Sequence, residues 1–251
     1  MSIVLTFGGT AIEGLSGWSE TLDSRAVVST IPRRDGGLID LLPPLETRLI
    51  NVEGKIEKTS HDSVITALNT LQHLLNSGSQ ALKLDSDRYI TAQKKSFNFK
   101  YVQGFSGKLV EYHIQFVCAD PYWYSTTPVT STTVIDSTSE TITIASGANI
   151  GNCFTYPVIT MTVDGASLTS FNLRNSYTTI NSSMEFTGTV TDNNSLIIDC
   201  SLKTVTNNTI SSLNDFSGDF WPIDGGVDNI IYYTGNVSAG TLTIVYTPRW
   251  Y

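Results

Sequence analysis

Within the run Leu109 to Cys118, apolar and polar residues alternate over residues 110–116, with Val110, Tyr112, Ile114 and Phe116 in one phase and Glu111, His113 and Gln115 in the other. That period of two predicts a half-buried strand. Residues 97–102 alternate in the same way on the far side of Gly104, Phe105, Ser106 and Gly107, so the two runs are expected to form a hairpin. A second hairpin is expected from the short runs 81–84 and 89–92 around the polar turn Asp85, Ser86 and Asp87. Residues 47–56 also read as a strand, and the period changes directly after them. Val64, Leu68, Leu71 and Leu75 fall on one helical face, Ser60 or Thr59 can cap the start, Asp62 lies in the first turn, and Gly78 follows the end. Upstream, Gly8, Gly9, Gly14 and Gly17 separate short apolar pieces, read as a strand followed by loops. Ile31 to Gly37 (Ile-Pro-Arg-Arg-Asp-Gly-Gly) and the stretch ending at Pro43 and Pro44 predict a turn and an exposed loop. The first half is thus expected to be an α+β domain, one helix on a mainly antiparallel sheet.

Asp120 and Pro121 stop the 109–118 strand, because proline lacks a ladder donor and holds its predecessor extended. The aromatics Tyr122, Trp123 and Tyr124 follow, expected to pin the two halves of the chain together. After Pro128 no helical period returns. Short runs at 131–135, 141–144, 158–163, 167–173, 177–181, 184–189, 195–199, 202–205, 229–233 and 241–248 predict strands, separated by turn signals such as Asp164-Gly165 and Asp192-Asn193-Asn194. That spacing suggests an all-β sandwich. The fold class read from the pattern is mainly β, with domains at 1–125 and 126–251.

Charge sharpens the division. Residues 1–125 hold 12 Lys/Arg against 13 Asp/Glu, and residues 126–251 hold 3 against 10. An acidic second half rich in Ser, Thr and Asn repels phosphate backbones and argues against tight nucleic-acid binding. No run approaches the roughly 18 consecutive apolar residues of a membrane span, so no membrane insertion is expected. The N-terminus lacks a basic stretch followed by an apolar one, so synthesis in a cytosol is expected.

Candidate chemistry is sparse. His61, Asp62 and Ser63 carry triad residue types, but neighbours on a helix point apart and cannot converge. His113 shares the polar phase of its strand, which suits a solvated face or a subunit contact. Cys118, Cys153 and Cys200 are widely spaced among apolar neighbours and read as buried thiols. The early glycines do not form a dinucleotide fingerprint. Arg33 and Arg34 read as a solvated loop, and Trp18 as a packing or interface aromatic. The sequons at Asn181, Asn193, Asn207 and Asn236 follow from composition, and the acids Asp164, Asp192, Asp199, Asp215, Asp219, Asp224 and Asp228 lack calcium-loop spacing. No catalytic, cofactor-binding or metal residue is assigned, and the chain is expected not to be an enzyme. A carbohydrate-binding module is the competing class, motivated by the sandwich and by Trp123, Trp221 and Trp250; a secreted hydrolase is a more distant third.

The layout nonetheless resembles a known family. In the first half the resemblance rests on the glycine-bearing start, the Arg33-Arg34-Asp35-Gly36-Gly37 loop, the strand at Ile56 leading into the Val64 to Leu75 helix, and the closing stretch from Phe116 to Tyr124. In the second it rests on Ile150 to Ile159, on Ile197 to Cys200, on Phe220 to Ile223 before Gly225, Gly226 and Asn229, and on the ending from Val245 to Tyr251. Their order and spacing resemble the distal tail protein of phages with long non-contractile tails. The resemblance implies a ring-forming belt domain followed by a galectin-like β-sandwich. It further implies a homo-hexamer at the virion tail tip, made in the bacterial host cytoplasm, that joins the tail tube protein to the tip hub. Receptor-binding proteins would dock on the outer domain, and double-stranded DNA would pass through the ring without sequence-specific binding. The strands of residues 80–118 are expected to make much of the ring contact.

Overall fold

A computed structural model describes residues 4–22, 28–30, 37–39, 45–84, 87–176, 182–236 and 239–251. The Arg33 and Arg34 loop, the turn at 85–86, the expected strand at 177–181 and the sequon at Asn181 lie outside the described residues. The chain divides into two compact units, Met1–Trp123 and Tyr124–Tyr251.

The strands of the first unit are β1 (Thr6–Phe7), β2 (Thr10–Ala11), β3 (Leu15–Thr21), β4 (Val28–Thr30), β5 (Gly37–Ile39) and β6 (Arg48–Glu57). Helix α1 (His61–Leu75) follows, then β7 (Gln80–Lys83), β8 (Arg88–Tyr101) and β9 (Leu109–Cys118). They form an antiparallel sheet in the order β2-β1-β7-β8-β9-β6-β3, beside a β4-β5 hairpin. Ser60 caps α1, its hydroxyl accepting from the backbone N–H of Ser63 at 3.2 Å, which satisfies one of the orphan donors at a helix start. Val64, Leu68, Leu71 and Leu75 are buried, and α1 packs on β6 and β8. In β6 and β9 every second residue is buried, from Ile50, Val52 and Ile56 to Val110, Ile114 and Phe116. That face carries the core; its opposite carries the polar phase.

The structure corrects the expected strands in places. Runs 89–92 and 97–102 are one strand, β8, whose alternation is broken by a bulge between Lys94 and Ser96. Its first part pairs β7 over Ile90 to Ala92, and its second pairs β9 from Gln93 to Tyr101. Residues 15–21, read as loop, are the seven-residue strand β3, which pairs β6 with a bulge between Leu15 and Gly17.

A short strand, β10 (Trp123–Ser125), spans the division between the units. The second unit contains two antiparallel sheets. One runs in the order β11 (Val129–Ile135), β21 (Gly240–Tyr246), β13 (Val158–Val163), β16 (Ser195–Asp199), β17 (Thr204–Asn207), β18 (Ile210–Ser211). The other runs β12 (Ser139–Ile144), β20 (Asn229–Gly235), β14 (Phe171–Asn175), β15 (Ser182–Phe186), β19 (Phe216–Gly218). A last short strand is β22 (Arg249–Trp250). Side chains from both sheets, including Ile159, Met161, Leu173, Phe186, Ile231 and Ile244, make one buried cluster. The expected strands at 167–173, 184–189 and 202–205 are shifted to β14, β15 and β17. Leu168 and Val190 make only an isolated bridge, and residues 201–203 form a turn whose N–H groups at Ser201 and Leu202 bond Asp199.

Candidate functional site: the polar face and strand edges of the first sheet

The β6-β9 register runs without interruption from Arg48 opposite Cys118 to Glu57 opposite Leu109. Paired residues point to the same side, so the polar phases of β6, β9 and β8 align into cross-strand rows. One row is Lys55, Glu111 and Lys100; the next is Glu53, His113 and Asn98; a third is Asn51, Gln115 and Ser96. Glu111 joins the first row, its two oxygens taking Lys55 Nζ at 2.9 Å and Lys100 Nζ at 3.3 Å. Hydrogen bonds and charge from Lys55 and Lys100 hold its carboxyl below the usual carboxylate range. In the third row Gln115 Nε2 donates to Asn51 Oδ1 at 3.0 Å. A groove of about 520 Å³ lies along these rows, lined among others by Ser16, Glu53, Lys55, Lys100, Glu111 and His113.

Behind the groove the sheet is held by a close approach. Tyr112 is directly opposite Gly54, and its ring occupies the space a Gly54 side chain would need. The Tyr112 hydroxyl donates to the Glu13 carbonyl at 2.6 Å, and desolvation pushes its pKa up to about 12. At the end of β3, Glu20 accepts from Arg48 Nη1 at 2.5 Å and from Trp123 Nε1 at 3.3 Å, while the rings of Trp18 and Trp123 sit 5.7 Å apart.

The edges differ in character. Strand β3 ends the sheet order, and β8 projects past β7, which pairs it only at Ile90 to Ala92. On this projecting part Phe97, Phe99 and Tyr101 form a ladder with ring centroids 5.8 and 6.2 Å apart; Phe99 is 47% and Tyr101 42% exposed. Phe105, in the hairpin turn, is exposed as well. His61 packs its ring 5.4 Å from Tyr101 and places Nδ1 3.2 Å from the Gly107 carbonyl.

The sequence candidates are dispersed. His61, Asp62 and Ser63 do not converge: His61 faces the hairpin turn, while the Ser63 hydroxyl meets Ser60 at 2.8 Å. His113 is on the polar sheet face beside Glu53 and Asn98. Trp221 is buried, its Nε1 on the Leu173 carbonyl at 3.4 Å, and Trp250 is buried with Nε1 on the Ile150 carbonyl at 3.2 Å. Trp123 is buried against Trp18, so these three rings present no shared platform. All three cysteines are buried, and desolvation pushes the Cys118 and Cys200 thiols up to about 12. Asn229 organises the loop after Trp221: it accepts from Asp224 N at 3.0 Å and donates to the carbonyls of Asp224 and Val227. Among the described residues no group of His, Cys, Asp and Glu is placed to hold a metal, and no helix is long and apolar enough to cross a membrane. The full rows are not legible in the sequence, because the β6-β9 register that completes them is a tertiary property.

The second unit's chain matches a family model: residues 150–250 match the siphovirus-type tail component, C-terminal domain. Among solved structures, the chain is similar to SPP1 Dit (gp 19.1), described as a paradigm of the hub adsorption apparatus in phages that infect Gram-positive bacteria. The match has 15% identity, covers 100% of both chains and has a TM-score of 0.72. Two further likenesses, to chains of a native gene transfer agent virion and of an empty gene transfer agent tail, cover 50% of this chain and 95% and 96% of those chains. Their identities are 13% and 14%, each with a TM-score of 0.34. No curated protein matches in sequence. Residues 150–250 thus match the siphovirus-type tail component, C-terminal domain. The fold of the whole chain is similar to that of SPP1 Dit.

Proposed function

We propose that six copies of the chain close into a ring through the first unit, which acts as a belt joining the tail tube to the tip hub. The second unit faces outward as the platform on which host-adsorption proteins dock, and double-stranded DNA passes through the bore. The observation that carries this reading is the pair of strand edges on one sheet, β3 at one side and the projecting part of β8 at the other. Unpaired edges invite pairing with another chain, and a head-to-tail contact that joins two different edges closes into a ring when the rotation suits it. Phe99 and Tyr101 support the same contact. The register places them with Tyr112 and Val110, on the face that Leu15 and Trp18 share with Gly54 and Val52. When β8 of one copy pairs β3 of the next, the exposed aromatics lie beside Leu15 and Trp18 of the neighbouring copy.

The test is oxidative cross-linking of full-length chains carrying one cysteine on each edge, Ser19→Cys with Asn98→Cys, and of variants shifted by two residues to allow for register. The native thiols are buried, which keeps the background low. A covalent ladder ending at the hexamer, absent from either single variant, is expected. Failure of every shifted pair to link assembled chains would rule out the edge contact.

A further inference from the structure

The face of the first sheet opposite α1 has a charge arrangement that the ring alone does not require. Lys55 and Lys100 stand on strands either side of β9, and Glu111 between them bonds both. Their side chains are well exposed, at 55% for Lys55 and 76% for Lys100, against 34% for Glu111. Two ammonium groups converging on one acceptor with two oxygens have the donor set that binds a phosphodiester. Here the acceptor is the protein's own carboxylate. The same face adds Glu53 and Glu57, so the two lysines of these rows meet three glutamates. Asn51, Ser96, Asn98 and Gln115 on it are uncharged.

Closure fixes which side this face takes. A sheet bent into a ring has more room on its convex side, where helices sit in closed barrels, while wide barrels leave an aqueous channel inside. With α1 packed on the other face, the polar rows turn toward the bore. The proposal that follows rests on the ring reading above. We propose that Glu111 is a built-in counter-charge: it takes the place of a phosphate between Lys55 and Lys100, so that the bore passes a duplex polyanion without holding it. A duplex presents a negative charge about every 1.7 Å, and uncompensated lysines around a bore would retain it by releasing its counterions. Hydrogen bonds and charge from Lys55 and Lys100 in turn lower the Glu111 pKa, which favours its ionised form.

The experiment uses the full-length chain and its Glu111→Gln variant, titrated into a fluorescent linear DNA duplex at about 50 mM and 200 mM salt. Light scattering on the same samples records the assembly state. The variant is expected to bind at least about tenfold tighter than the parent at low salt and to lose that gain at high salt. The triple variant Lys55→Gln, Glu111→Gln, Lys100→Gln is expected to return to the parent's level, which separates exposed lysines from a general change in fold. A Glu111→Gln variant that binds DNA no tighter than the parent overturns the counter-charge, whatever its assembly state. So does a gain that persists in the triple variant. A gain of binding on a chain that scatters as a monomer supports the counter-charge while the ring reading fails, so the two failures are told apart.

Discussion

Gly54→Ala is the smallest change that tests the packing behind the polar face. The added methyl carbon would lie 2.1 Å from both Cζ and the hydroxyl oxygen of Tyr112 and 2.6 Å from Cε1. Carbon atoms rest at about 3.5–4.0 Å, so the ring has to move by more than about 1 Å. Tyr112 is 3% exposed and its hydroxyl is committed to Glu13 at 2.6 Å, so it has nowhere to go without breaking that bond. Overpacking costs about 1–3 kcal/mol, and the lost hydrogen bond adds about 1 kcal/mol. Gly54→Ala should therefore destabilise the first unit by about 2–4 kcal/mol. Tyr112→Ala should cost about 3–5 kcal/mol, as large aromatic deletions do. With the ring gone the methyl fits the vacated space, so the double variant should cost about the same as Tyr112→Ala alone, a coupling of roughly 2–4 kcal/mol. The assay is equilibrium urea unfolding followed by helical ellipticity, because α1 is the α-helix among the described residues and belongs to the first unit. Costs that add to within about 0.5 kcal/mol would refute the claim that the ring lies over Gly54.

Other predictions concern groups elsewhere in the chain. Asn229→Ala leaves the Asp224 N–H and the Val227 carbonyl without their Asn229 partner, while the Asp224 carbonyl keeps Asn149 Nδ2 at 2.8 Å, and should lower the stability of the second unit by about 2–4 kcal/mol, read by tryptophan fluorescence during unfolding. Cys118 and Cys200, buried and with thiols pushed up to about 12, should react with a thiol reagent only after denaturation; rapid labelling of the native chain would contradict their placement. Glu111 has its folded pKa lowered, so its stabilisation is present above the unfolded value of 4.5 and is lost as pH falls through the folded value. Glu111→Gln should flatten the acid limb of melting temperature against pH, and high salt should flatten the parent's limb too, because the lysine pairs are exposed. An unchanged acid limb would detach Glu111 from both lysines.

Local signals carried much of the fold. Helix α1 was legible because four apolar residues at helical spacing lie between a capping serine and a glycine, all within one short window. Strand β9 was legible because both its faces have consistent chemistry. Strand β8 was read as two pieces because the bulge at Lys94 to Ser96 inserts a residue and shifts the phase. Strand β3 was missed for a different reason. It lies at the end of the sheet order, holds Gly17 and a bulge, and has no fully buried residue to mark a phase. In the second unit several strands have only two or three residues, too few for a period to show. The Lys55, Glu111 and Lys100 row was half legible: the turn at 104–107 sets Lys100 opposite Glu111 once the hairpin is accepted. Lys55 joins only through the β6-β9 pairing, which spans most of the first unit and leaves no local trace.

The measurement that tests the account most directly is molar mass by light scattering at high protein concentration, with electron micrographs of the same peak. Oligomers dissociate on dilution, so a concentration series belongs to the measurement. The account predicts a ring of six chains that replacing Phe97, Phe99 and Tyr101 with alanine or aspartate converts to smaller species. A monomer at every concentration, or a ring indifferent to those residues, would contradict it.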